Sequence, residues 1–218
     1  MEQTLRRSAA IRDGLGVGIA VGLSGLAFGA AAITAGLSVT QACVLSLLAF
    51  TGASQFALVG GGGDLTAAVG ALLLGTRNTL YGLRLADLLQ VTGARRLVAA
   101  HGVIDESTAV ALAQPDTRSS RAGFVTTFAA VYVMWNLTTL LGALGTSKLG
   151  DPAMLGLDAV GPATFLAILW PRLKDSPELR WLAAGGASIA LLATPFLPPG
   201  VPVLLAAVAV LVMMVRSR

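Results

Sequence analysis

The stretch GLGVGIAVGLSGLAFGAAAITAG, residues 14–36, contains no charged side chain, and apolar runs of the same character recur along the rest of the 218 residues. An α-helix rises about 1.5 Å per residue and the bilayer hydrocarbon is roughly 30 Å thick, so about 20 apolar residues suffice to span it. The chain is therefore expected to be an all-α integral membrane protein, a bundle of about six to eight transmembrane helices.

Composition excludes the main alternatives. Apolar residues make up 55% of the chain and charged residues 12%, with a mean hydropathy of +0.79; a soluble domain carries about a quarter charged residues. The length fits one transmembrane domain over residues 1–218, with no segment large enough for a separate soluble unit. The net charge of +4 comes from Lys and Arg beside the apolar runs. That is the cytoplasmic bias of membrane loops and points to no nucleic acid. The single cysteine, Cys43, lies in an apolar run as an inert thiol, and redox chemistry is not expected. The N-terminal MEQTLRRSAAIRDG reads as an uncleaved cytoplasmic lead-in.

The segments expected to be helical are 14–36, 39–59, 65–89, 98–113, 122–146, 153–170, 180–197 and 200–215. Basic clusters stand at Arg6, Arg7 and Arg12, at Arg95 and Arg96, at Arg118 and Arg121, at Arg172, Lys174 and Arg180, and at Arg216 and Arg218. All of them fall in the cytoplasm if 14–36 crosses outward, 39–60 enters and leaves on one side, and 65–89 returns. If instead 39–59 and 98–113 both span, Arg95 and Arg96 lie outside, and Asp105 and Glu106 sit in the bilayer. Both schemes put both termini in the cytoplasm.

The first scheme has a physical cause in a broken or re-entrant helix near residues 39–63. Thr51, Gly52, Ser54 and Gln55 interrupt the run with a glycine and polar side chains, and Gly60 to Gly63 with Asp64 stop the helix. Non-helical backbone at membrane depth is tolerated only where protein or a water-filled cavity satisfies it, so the break points to a cavity. Asp151-Pro152, Gly161-Pro162 and Pro198-Pro199-Gly200 mark loops or helix ends, and Pro162 and Pro195 are positioned to kink helices. Gly14, Gly16, Gly18, Gly22, Gly25 and Gly29 suit close helix packing. The halves show no convincing repeat.

Function is sought in the polar residues inside these runs. In LLLGTRNTLYGLRLADLL, residues 72–89, Arg77, Tyr81 and Arg84 share a helical face, and Arg84 and Asp87 are spaced to pair near the helix end. Arg77 lies deeper. An arginine there faces the protein interior or water, where its fork holds either a ligand carboxylate or an internal acid. Ser54 and Gln55 serve either as interhelical glue or, with the free N–H groups of a broken helix, as a carboxylate site. In AAHGVIDESTAVA, residues 99–111, Asp105 and Glu106 are adjacent acids suited to a proton or an ammonium group, and His101 is one turn from Asp105. Asn136, beside Trp135, Thr138 and Thr139, needs a partner, and Asp158 reads as a helix cap. With one histidine and one cysteine there is no zinc set, and no phosphate loop or nucleophile elbow is present. No enzyme activity, metal or cofactor is expected.

SLLAFTGASQFALV (46–59), RNTLYGLRLADLL (77–89), HGVIDESTAVAL (101–112) and WNLTTLLGALGTSKLGD (135–151) with LGLDAVGPATFLAIL (155–169) resemble, in order and spacing, the AzlC family. These are the large subunits of bacterial branched-chain amino-acid exporters. The resemblance covers roughly residues 14–175. It implies an inner-membrane permease that works with a small AzlD-type subunit to export leucine, isoleucine, valine and sometimes methionine, and it leaves room for a higher oligomer. The family pattern falls on Gly52, Gln55, Arg77, Tyr81, Asp105 and Glu106. Ser54, Asn78 and Asn136 join the expected substrate site, and Asp105 and Glu106 are the expected proton-coupling pair. Family members carry asparagine two places before the arginine and histidine just after it, where this chain has Gly75 and Asn78. A proton relay through that histidine is absent here. Transport of another small solute, or a non-transporting role in membrane-protein assembly, is the competing expectation.

Overall fold

The structure is a computed structural model that describes residues 2–148, 166, 170, 173–174, 176–197 and 201–206. Its helices are α1 (Glu2–Gly22), α2 (Gly25–Thr34), α3 (Val39–Leu48), α4 (Ala53–Gly60), α5 (Leu65–Leu89), α6 (Ala94–His101), α7 (Asp105–Leu112), α8 (Thr117–Ser147), α9 (Pro177–Ala193) and α10 (Val201–Ala206). No strand occurs among the described residues. The expected helix 153–170, apart from Leu166 and Trp170, lies outside them. So do Asp158, the loops at Asp151-Pro152, Gly161-Pro162 and Pro198-Pro199-Gly200, Arg172, and 207–218 with Arg216 and Arg218.

Local chemistry explains the boundaries. The Ser38 hydroxyl accepts from Gln41 N at 3.2 Å while the Gln41 side chain accepts from Ser38 N at 2.8 Å, a reciprocal cap that starts α3. Asp64 caps α5 through Ala67 N at 2.7 Å, and Asp116 caps α8 through Ser119 N at 3.0 Å. The Ser119 N–H first, and then its hydroxyl, hold the Asp116 carboxyl below its ordinary value. At the other end of α5, Gln90 adopts a left-handed conformation. Arg121 there donates to the Leu88 carbonyl at 2.8 Å and to the Gln90 side chain at 2.9 Å. A cation thus sits on the negative end of α5.

Helix α8 is the central post. Gly14, Gly18, Gly22, Gly25 and Gly29 recur every three or four residues and face it, and a Cβ on any of them would come within 2.1 to 2.9 Å of an α8 atom. Gly142 of α8 reciprocates against Leu26. Without side chains in the way the backbones approach closely, which is how helices associate where surrounding lipid offers no hydrophobic gain. Gly16 faces open space and takes no part. Because Gly14 meets Gly123 and Gly29 meets Ala143, α1–α2 runs parallel to α8. The kink at Leu23 and Ser24 has an identifiable cause. The Gly22 carbonyl accepts the Thr138 hydroxyl at 2.6 Å, while Leu26 N turns to the Leu23 carbonyl.

Contacts fix the direction of the other elements. Helix α3 descends along α8, with Ser46 bonded to Thr139 at 3.4 Å and Phe50 reaching Phe128. Then α4 climbs back, since Gln55 bonds Leu45 and Phe56 packs on Phe28. Helix α5 descends: Gly75 lies against Ser54, and its last turn is held by Arg121. Helix α6 rises until His101 meets Phe128 and Tyr132, and α7 descends until Val110 meets Gly123. Thus α3–α4 and α6–α7 are two V-shaped helical pairs that enter the bundle from opposite ends. Their tips meet beside the middle of α8, where the Phe50 and His101 rings lie 5.7 Å apart.

The run 98–113 is therefore two short helices broken at Gly102–Ile104 rather than one. Helix α5 spans the residues expected of it. Helix α9 ends at Ala193, so Pro195 follows the helix instead of kinking it. By length and composition, 2–34 and 117–147 are apolar enough to cross a membrane. The 25 residues of α5 are long enough, at roughly 37 Å, but carry Arg77, Arg84 and Asp87.

Gly29→Ala places a Cβ against the Thr139 carbonyl and is expected to lower the stability of the purified protein by about 1–3 kcal/mol. Gly16→Ala, facing open space, leaves it unchanged or raises it by up to about 1 kcal/mol. Thermal unfolding in detergent checks both.

Candidate functional site

Both tips leave helix-end backbone groups deep in the bundle, and both are closed in the same way. At the first, Gly52 has φ +50° and ψ −77°, a left-handed conformation that favours glycine. The Gln55 side chain, 1% exposed, accepts from Gly52 N at 3.2 Å and donates to the Leu45 carbonyl at 3.1 Å. One amide thus ties the start of α4 to the last turn of α3. At the second tip, the fully buried Ser107 hydroxyl accepts from Ile104 N at 3.2 Å and donates to the Gly102 carbonyl.

Helix α5 runs past both tips and presents a different residue to each. Gly75 faces the Ser54 hydroxyl, which lies 3.4 Å from where a Cβ would stand. Arg77 turns to the other side, with Nε 3.1 Å and 3.2 Å from the two Asp105 carboxylate oxygens and Nη2 bonded to Oδ2. Its Nη1 donates to the Leu74 carbonyl at 2.8 Å. The guanidinium is thus committed to an internal acid on the first residue of α7. Tyr81, one turn further along α5, lies within interaction range of both Arg77 and Asp105, and the half-buried Glu106 is close enough to feel both charges.

At the two tips and on α5 and α8 beside them, six polar atoms are buried without a hydrogen-bond partner: Thr51 Oγ1, Ser54 Oγ, Asn78 Oδ1, Thr108 Oγ1, Trp135 Nε1 and Asn136 Oδ1. Asn136 Nδ2 is used by the Tyr132 carbonyl at 2.8 Å. Trp135 forms the floor: its ring lies against Gly52 and stacks on Phe28 at 6.1 Å. Buried polar groups normally find partners, and leaving one unmade costs about 1–3 kcal/mol. A concentration of such atoms beside two helix breaks has the chemistry of a ligand site.

The structure thus brings Gly52, Ser54 and Gln55 together at the first tip, and Arg77, Tyr81, Asp105 and Glu106 at the second, with Asn78 on α5 next to Arg77. Asn136 stands on α8 one residue beyond Trp135. Among the described residues His101 forms no ion pair; it packs among Phe50, Phe128 and Tyr132. Arg84 and Asp87 are exposed and form no ion pair among the described residues. Trp135, Thr108 and Ser107 are additions that sequence reasoning missed. Ser107 had a readable signal, a small polar residue three places after a helix break.

Gln55→Leu leaves the Gly52 N–H without its partner, and Ser107→Ala removes one of the two acceptors of the Ile104 N–H together with a donor to the Gly102 carbonyl, so each is expected to lower stability by about 1–3 kcal/mol. Thr76→Val, on the exposed face of α5, stays within about 0.5 kcal/mol. Denaturation midpoints in detergent compare the three.

The AzlC protein family matches this chain over residues 16–149, well over half its length and inclusive of both tips. No curated protein and no solved structure matches it. The matched region holds every one of the unpartnered polar residues named above, and it belongs to a transporter-type membrane family, generally associated with branched-chain amino-acid transport. The chain is a member of the AzlC family.

Proposed function

We propose that this chain is the large subunit of a secondary transporter that exports branched-chain amino acids across the bacterial inner membrane, together with a small AzlD-type subunit. The observation that carries this is the set of unpartnered buried polar atoms at the two half-helix tips and on the helices beside them. Its composition suits a zwitterion. Ser54, Thr51 and Trp135 offer donors beside the positive N-terminal end of α4, suited to a carboxylate. Asn78 Oδ1 and Asn136 Oδ1 offer acceptors suited to an ammonium group. Arg77, already bonded to Asp105, then orders the second tip instead of holding the substrate carboxylate. The branched side chain lies against the apolar walls, where one methylene discriminates by only about 1–3 kcal/mol, so leucine, isoleucine and valine overlap as substrates.

In this reading α1–α2, α5 and α8 cross the bilayer, and α3–α4 and α6–α7 are re-entrant. The parallel course of α1 and α8, with the return of α5, gathers Arg7, Arg12, Arg95, Arg96, Arg118 and Arg121 at one end of the bundle, which supports placing that end and the N-terminus in the cytoplasm. Glu106 has no ion-pair partner among the described residues. It is the carboxylate best suited to carry a coupling proton, with no cofactor required.

Cells loaded with branched-chain dipeptides and expressing the chain with its small partner are expected to release leucine, isoleucine and valine faster than cells expressing either alone. Ser54→Ala with Asn78→Ala lowers that rate at least about ten-fold at matched membrane abundance, the loss of one or two hydrogen bonds to a charged ligand. Glu106→Gln keeps residual efflux but removes its response to the proton gradient. Absence of efflux of all three amino acids from a well-expressed complex overturns the substrate assignment. Full activity of Ser54→Ala with Asn78→Ala overturns the site.

A further inference from the structure

The two helical pairs share more than a shape. Gly52 and Ile104 precede the returning half-helices, Gln55 and Ser107 bond back to them, and each half-helix is 8 residues long. Asp64 and Asp116 then cap the next long helix. Every one of these pairs is separated by the same 52 residues. The first unit, α1–α2 with α3–α4, runs opposite in direction to the second, α5 with α6–α7. Inverted repeats of this kind let a transporter present one central site to either side by exchanging the conformations of its two units.

The units differ at one place that bears on that exchange. Where the second carries Arg77 and Asp105, the first carries Gly25 and Ala53. Gly25 is packed directly on Thr138 and Trp135, and α4 is held to α2 by the edge contact of Phe56 on Phe28, with ring centroids 5.5 Å apart. The pair that enters from the arginine-rich end is thus fastened by charge, and the pair from the opposite end by apolar packing with two long hydrogen bonds to α8, Ser46 to Thr139 at 3.4 Å and Tyr132 to the Leu47 carbonyl at 3.5 Å. Separating the half-buried Arg77 and Asp105 leaves two opposite charges unpaired, whereas apolar rings and long hydrogen bonds yield at lower cost.

We infer that the chain is an inverted repeat of two gates, and that Arg77–Asp105 is a latch holding the α6–α7 gate shut while α3–α4 is free to open. This rests on the transporter reading, yet its test uses no substrate, so it fails or holds separately from the efflux result.

Two reporters in a Cys43→Ser background read each gate: Ser54→Cys on α4 and Thr108→Cys on α7. A membrane-impermeant charged maleimide is applied to right-side-out and inside-out vesicles containing the full complex. With the latch intact, Ser54→Cys reacts from the end opposite the arginines and Thr108→Cys is protected from the arginine-rich end. Adding Asp105→Asn is expected to raise Thr108→Cys labelling from the arginine-rich end about ten-fold and to lower Ser54→Cys labelling from the other, because a shift toward one state depletes its alternative. The charge swap Arg77→Asp with Asp105→Arg restores both rates and separates a lost latch from a misfolded bundle. Unchanged rates with Asp105→Asn, a rise in both together, or failure of the swap to restore them overturns the inference.

Discussion

A helix that stops inside an apolar bundle leaves backbone N–H and carbonyl groups where no bulk water reaches them, and the rest of this structure follows from how that constraint is met. Gln55 and Ser107 meet it with one side chain each, three residues into the returning helix. Because these two side chains bond back within each pair, the chain reverses direction at mid-bundle with few partners from the long helices, Tyr132 of α8 on the Leu47 carbonyl at the first tip and Arg77 of α5 on Asp105 at the second. Ser54 on α4, Asn78 on α5, and Trp135 and Asn136 on α8 keep unpartnered polar atoms.

Rigidity and polarity are divided between different parts of the molecule. The contact of α1–α2 on α8 is glycine against backbone, a close-packed seam with little room to move. The V-shaped pairs are short, and they rest on aromatic edges and a few side-chain bonds. A close-packed post flanked by two short pairs is the arrangement on which the proposed alternating site rests.

The sequence disclosed the parts whose chemistry is local. Residues 65–89 are bounded by Asp64 and by the end of an apolar run, so α5 was legible, and Gly52 among polar neighbours announced the first break. The second break was hidden because Gly102 is its single glycine, and Val103 with Ile104 continue the apolar pattern. What marks the new helix start there is the Ser107 side chain bonding back to Ile104, a local contact three residues long that a composition window does not register. The repeat was invisible for a related reason. Gln55 and Ser107, or Gly52 and Ile104, do the same structural work with dissimilar residues, so geometry persists where identity does not. Of the candidate site, the residue types were readable, but their division was not: the sequence leaves Arg77 between a ligand carboxylate and an internal acid, and in the structure Asp105 lies across from it.

The account stands on the meeting of the two tips at mid-bundle. In a Cys43→Ser background, Phe50→Cys paired with His101→Cys tests that meeting most directly, through cross-linking by a short bifunctional thiol reagent in native membranes. Phe50→Cys paired with Leu89→Cys, at the far end of α5, is the reference. The account predicts efficient cross-linking of the tip pair within one chain and none of the reference pair. Tip cysteines that cross-link no better than the reference would contradict it.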